Sequence, residues 1–220
     1  MEKPRIAPDE ALRMLQKGNA RYMSGGLERP NLGQGRRTLT AMQGQRPFAA
    51  VLACSDSRVP VELIFDCGIG DVFVVRVAGN VLGNSELGSI EYAVDHLGVP
   101  LVLVLGHTKC GAVKAVCEAG LLEGNLRGIS EKILPAVQEV DTTSPGSTAD
   151  QKVTEVVKTN VRNSIQLAFM SSKSIRRKAL AEELMVIGAF YDIETGEVHW
   201  MGSHPEQDRL LNSTGEKPQD

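Results

Sequence analysis

Apolar positions change period near residue 47. Before it, "PDEALRMLQKGNARYM" places Leu12, Leu15 and Tyr22 roughly on one helical face, with Pro8 and Asp9 suited to a first turn. Gly25, Gly26 and Pro30 break that helix, and a second short helix is predicted from Arg36 to Met42. The two make a thin amphipathic arm that is expected to pack on something else, a partner subunit for example. From Pro47 the pattern alternates between strand and helix. "FAAVLA" (Phe48 to Ala53), "DVFVVRV" (Asp71 to Val77) and "PLVLVLG" (Pro100 to Gly106) are β-rich apolar runs, and the unbroken "LVLVL" predicts a strand buried on both faces.

Between the second and third strands, Leu87, Ile90, Val94 and Leu97 recur at three- and four-residue steps, with Ser85 placed to cap the helix and Gly98 just past its end. "CGAVKAVCEAG" predicts the next helix, and "ISEKILPAVQEV" a further one with a break near Pro135. Asp141 to Asp150 reads as a loop. A long amphipathic helix follows, with Val153, Val156, Val157, Val161 and Ile165 inward. "LMVIGAFYDIETGEVHWMG" reads as strand, Thr195-Gly196 turn, strand. This order predicts an α/β fold with a mostly parallel sheet flanked by helices. The chain is expected to be one domain: a helical arm over 1–45, an α/β core over 46–202, and a flexible tail over 203–220.

Composition narrows the function. Hydrophobic residues are 42% of the chain and aromatics only 4%, so the core is aliphatic. The net charge of −3 and the lack of a long basic run argue against nucleic-acid or anionic-membrane partners. "KSIRRK" (Lys173 to Lys178) reads as a solvated helix face. No apolar run approaches membrane-spanning length and the start has no secretory apolar region, so a cytoplasmic location with reduced thiols is expected. Cys54, Cys67, Cys110 and Cys117 are then ligands, nucleophiles or small core residues rather than a disulfide framework. Cys67 and Cys117, in apolar company, read as packing.

Cys54 and "HTKCG" stand apart because both fall at predicted strand ends on one edge of the sheet, where open α/β sheets bind ligands. Cys54, His107 and Cys110 could converge on one ion. Two thiolates and an imidazole suit Zn2+ and leave a fourth position open for catalysis. Asp56, two residues from Cys54, could ligate that ion and close the site. Alternatively Arg58 could hold it off the metal by a charge-assisted pair. An ordinary surface ion pair is the plain alternative.

"CSDSR" followed by "HTKCG" resembles the β-class carbonic anhydrases, and the resemblance extends through "GQRPFAAVLACSDSRVP", "GDVFVVRVAGN", "SIEYAVDHLG" and "VLGHTKCGAVKA". It implies zinc held by Cys54, His107 and Cys110, with Asp56 and Arg58 as the catalytic dyad and Asp56 a conditional fourth ligand in a closed state. It implies reversible hydration of carbon dioxide to bicarbonate and a proton by zinc-bound hydroxide. It also implies a homodimer or homotetramer with a substrate pocket at the dimer interface, walled by Gln45, Phe73 and Tyr92, with the backbone of Gly111 nearby. One departure is informative. A subgroup carries an inhibitory bicarbonate pocket of Trp, Arg and Tyr; the matching positions here are Val51, Arg76 and Tyr191, so the Trp is missing. That favours the subgroup in which Asp56 stays paired to Arg58. Two readings stand beside hydration: the same zinc site hydrolysing carbonyl sulfide or carbon disulfide, and a structural or redox-sensing zinc module without catalysis.

Overall fold

The computed structural model describes residues 6–212. Helix α1 (Pro8–Ser24) opens the chain and α2 (Gln34–Gln43) follows it. The core then runs β1 (Ala49–Cys54), α3 (Val61–Ile64), β2 (Val72–Val77), α4 (Asn84–Asp95), β3 (Leu101–His107), α5 (Gly111–Ala119), α6 (Arg127–Thr143), α7 (Ala149–Ser171), α8 (Lys173–Leu180), β4 (Met185–Tyr191), β5 (Val198–Gly202) and α9 (Gln207–Asn212). The five strands form one sheet in the order β2-β1-β3-β4-β5. The first four pair in parallel and β5 joins β4 antiparallel, closing the predicted C-terminal strand–turn–strand.

Alternation along the strands builds two cores. Val51, Ala53, Leu103, Leu105 and Ile187 face one side, against Leu15 of α1 and Ile64 and Phe65 at α3. Ala50, Leu52, Val102, Val104 and Val186 face the other, against Ile90 and Val94 of α4 and Val161 and Ile165 of α7. Every residue of β3 is buried, as its unbroken apolar run requires. The chain leaves β1 for β2 on one side and returns to β3 on the other. The crevice between helices therefore opens at the C-terminal ends of β1 and β3.

Helix α7 comes close to the sheet at Gly106 of β3. A Cβ there would lie 2.6 Å from Val157 Cγ1 and 2.9 Å from Val161 Cγ2. Gly106→Ala is expected to destabilise the fold by about 1–3 kcal/mol through overpacking. A lower urea midpoint at unchanged m-value would show it, and an unchanged midpoint would contradict it.

Several expectations need correction. The first turn of α4 is held at Gly83, whose N–H donates to Glu86 Oε2 at 2.9 Å, and Ser85 is not its cap. Helix α6 runs through Pro135 without a break, because that residue lies on the exposed face, where solvent can meet the carbonyl left without a donor. The basic stretch is only partly a solvated face. Arg176 is buried and donates to the carbonyls of Phe169 and Met170 at the end of α7, while Lys178 donates to the Val94 carbonyl at 2.6 Å. The arm divides: α1 packs on its own chain through Ala11 and Leu15, whereas α2 buries no residue. Within the tail expected over 203–220, residues 207–212 form α9, which buries Leu210 and Leu211; residues 213–220 lie outside the described residues.

Candidate metal centre and active site

Cys54 ends β1, His107 ends β3, and Cys110 is the residue just before α5. Topology thus delivers the three side chains to one edge. All are buried, and one ligand atom from each lies within 4.8 Å of the others. The sulfurs are 4.0 Å apart, far beyond the roughly 2.05 Å of a disulfide. His107 Nδ1 lies 2.8 Å from the Thr108 carbonyl oxygen. A carbonyl only accepts, so the proton sits on Nδ1 and the lone pair on Nε2. Nε2 is buried with no hydrogen-bond partner, an orphan that a metal ion between the two sulfurs would satisfy.

The sulfurs are electrostatically unequal. Cys54 is pulled down from the ordinary thiol value, first by its hydrogen bond with Cys110 and then by the backbone N–H groups of Asp56 and Gly79, against the cost of burial. Those N–H groups lie 3.4 Å and 3.2 Å from Sγ. Cys110 is pushed up by sharing its proton with the Cys54 thiolate and by burial, although the N–H groups of Val113 and Ala112 in the first turn of α5 oppose this. Of the two, Cys54 is the more readily ionised, and a divalent cation would displace the protons that the pair holds.

Beside it, Arg58 grips Asp56 in a fork: Nε to Oδ1 at 2.9 Å and Nη2 to Oδ2 at 2.7 Å. The Arg58 backbone N–H adds a third bond to Oδ1 at 2.9 Å. Asp56 lies outside the set of three ligand atoms. The side-chain bond from Arg58, with its backbone N–H and its charge, holds the Asp56 carboxyl well below the usual carboxylate range despite partial burial. A depressed folded value means that the stabilisation is present above the ordinary pKa of about 3.9 and disappears as pH falls through the folded value. A 13C titration of the Asp56 carboxyl should therefore show no inflection between pH 5 and 9. An inflection near 6 would contradict the pairing.

Some of the scaffold was not apparent from sequence. Arg76 donates to the carbonyls of Cys54 at 3.0 Å and Asp56 at 2.6 Å, fixing the strand end that carries both. Arg58 Nη2 also donates to the Lys109 carbonyl at 3.1 Å, tying the Asp56–Arg58 pair to the loop between His107 and Cys110. Gly79, with φ 73°, turns its N–H onto Cys54. The Gly79-Asn80 pair after the second apolar run was the available signal for that turn.

The remaining predicted residues are more scattered. Gln45 is exposed in the loop before β1, and Gly111 is exposed at the start of α5. Phe73 and Tyr92 form a ring pair with centroids 6.2 Å apart. Phe73 pairs with Ala50, whereas Cys54 pairs with Val77, so within one chain the ring pair lies about 13 Å down the sheet from Cys54. Val51 is fully buried in the sheet core and Tyr191 nearly so, its hydroxyl 3.4 Å from that of Tyr22. Cys67 is pushed up to about 12 by burial and donates to the Phe65 carbonyl. Cys117 is part-buried and raised for the same reason. Neither belongs to the ligand cluster.

A family profile described as carbonic anhydrase matches residues 49–198. A carbonic anhydrase of Mycolicibacterium smegmatis is 40% identical over 200 residues, covering 89% of this chain and 94% of its own. Among solved structures, the b-carbonic anhydrase CafA of Aspergillus fumigatus superposes with a TM-score of 0.74 at 25% identity, covering 92% of this chain and 94% of its own. A chain from the two tetrameric beta-carbonic anhydrases of Sordaria macrospora does so with a TM-score of 0.67 at 25% identity, covering 88% and 98%. Matched along nearly its whole length, with its own Cys–His–Cys cluster at the sheet edge, this chain belongs to the β-carbonic anhydrase family and is an enzyme of that kind.

Proposed function

We propose that the chain hydrates carbon dioxide reversibly to bicarbonate and a proton, with Zn2+ held by Cys54, His107 and Cys110. The observation that carries this is the buried, unpartnered Nε2 of His107 facing two cysteine sulfurs beside a forked Asp56–Arg58 pair. The donor set fits: two sulfurs and a neutral imidazole select a borderline cation, and three protein ligands leave one position for chemistry. Bound there, zinc would supply the Lewis acidity that makes water nucleophilic near neutral pH.

The chain's own groups do the rest. Asp56, ionised and oriented by Arg58, accepts a hydrogen bond from the attacking water and so aims its oxygen. Arg58 keeps that carboxylate off the metal position. Phe73 and Tyr92 offer an apolar wall to a substrate with little hydrogen-bonding capacity, and Gln45 can donate to its oxygen. Their separation from Cys54 within one chain supports the reading that a second copy completes the pocket. The tetrameric relatives from Sordaria macrospora support self-association as a dimer or tetramer. Among the described residues no helix is long and apolar enough to cross a membrane. Four unbridged cysteines support a reducing, cytoplasmic setting.

Carbonyl sulfide or carbon disulfide could enter the same site, and pocket width separates these substrates. Side-by-side assays of zinc-loaded protein on carbon dioxide and carbonyl sulfide are expected to show faster turnover of carbon dioxide. Preferred turnover of carbonyl sulfide would overturn the substrate assignment.

A further inference from the structure

We propose that Asn160 of α7 is a positioning residue for the metal centre, acting through the backbone of Gly79 on the sulfur of Cys54. The inference rests on the metal reading above and deepens it. Asn160 is 81 residues from Gly79 and is buried on the inner face of its helix. Its Nδ2 donates to the Gly79 carbonyl at 2.9 Å. The N–H of the same glycine donates to Cys54 Sγ at 3.2 Å. One residue therefore links a helix amide to a ligand sulfur by two consecutive hydrogen bonds.

The link has a physical reason. Gly79 and Asn80 both hold left-handed backbone, with φ 73° and 43°. Glycine has the widest conformational freedom of any residue, so the direction of its N–H must be imposed from outside. Below Gly79 the space is tight: a Cβ would lie 2.9 Å from Ile133 Cδ1 and 3.4 Å from Ala112 Cβ. Asn160 fixes the carbonyl side, and one turn later Ser164 Oγ reaches the Asn80 carbonyl at 3.5 Å. Helix α7 thus holds both successive carbonyls of the turn. An N–H aimed at a thiolate sulfur stabilises its charge and fixes its direction, and losing such an outer partner typically costs about 10–100-fold in metal affinity.

The test measures metal binding rather than turnover. Wild type, Asn160→Leu and the near-isosteric Asn160→Asp are titrated with Zn2+ against a chelator and with Co2+ to read the sulfur-to-cobalt charge-transfer band. Asn19→Leu is the control. Asn19 is likewise a buried amide, donating to the carbonyls of Ile64 and Gly196 and accepting from the Val198 N–H, and none of these partners is Gly79 or a residue of the cluster. Both Asn160 variants are expected to bind zinc about 10–100-fold more weakly, with a shifted cobalt band. Asn19→Leu is expected to lower the melting temperature with affinity and band unchanged. If a folded Asn160 variant keeps wild-type affinity and band and loses only melting temperature, the positioning role is overturned. If wild type binds neither metal, the metal reading itself fails.

Discussion

Arg58→Ala is expected to keep its zinc and lose carbon dioxide hydration by roughly two to three orders of magnitude, the range seen when one preorganised polar group is removed from an active site. The side chain is half exposed, so its removal leaves solvent rather than a cavity, and little stability is at stake. What is lost is the direction of Asp56. Two forked bonds and the contact to the Lys109 carbonyl disappear together, and only the backbone N–H at position 58 still holds Oδ1. The freed carboxylate stands two residues from Cys54 and can turn toward the position that water needs. The loss should fall on kcat, with metal content at one zinc per chain. Arg58→Lys should recover only part of it, because an ammonium cannot reproduce the two-point grip. Full activity in Arg58→Ala would remove the dyad from the account.

Cys110→Ser is expected to have the larger effect on the metal, with zinc affinity falling by more than about a hundredfold, beyond the cost of losing an outer-shell partner. Cys110 is fully buried before α5, where the N–H groups of Ala112 and Val113 face its sulfur. A serine hydroxyl there does not ionise near neutral pH and is a poor ligand for a borderline cation. Cys67→Ser is the matched control. Its thiol sits outside the cluster, is kept protonated by burial and donates to a carbonyl, so zinc content should not change. Metal analysis after dialysis against a weak chelator separates the two variants. Equal zinc in both would contradict the ligand assignment.

The sheet and the cluster of Cys54, His107 and Cys110 were legible in the sequence for the same reason. Alternating and unbroken apolar runs located β1, β2 and β3 to within a residue at their ends, and Cys54, His107 and Cys110 are where two of those runs stop. Parallel topology then places the stops side by side. Asp56 and Arg58 were legible because their contact is local, two residues apart. Contacts between distant segments were not. The bonds from Arg176 to the end of α7, and from Asn160 to Gly79, depend on how helices pack, and no residue pattern along the chain records them. Composition also misled where burial decides. Pro135 sits within α6 because it faces solvent, and Leu210 and Leu211 draw the start of the expected tail onto the core as α9.

Stopped-flow carbon dioxide hydration by one preparation, stripped of metal and then titrated back with zinc, tests whether a zinc ion in this centre carries the reaction. Background rates are expected without metal, with activity rising in proportion to bound zinc to a limit at one ion per chain. Background rates with one zinc per chain fully bound would contradict it.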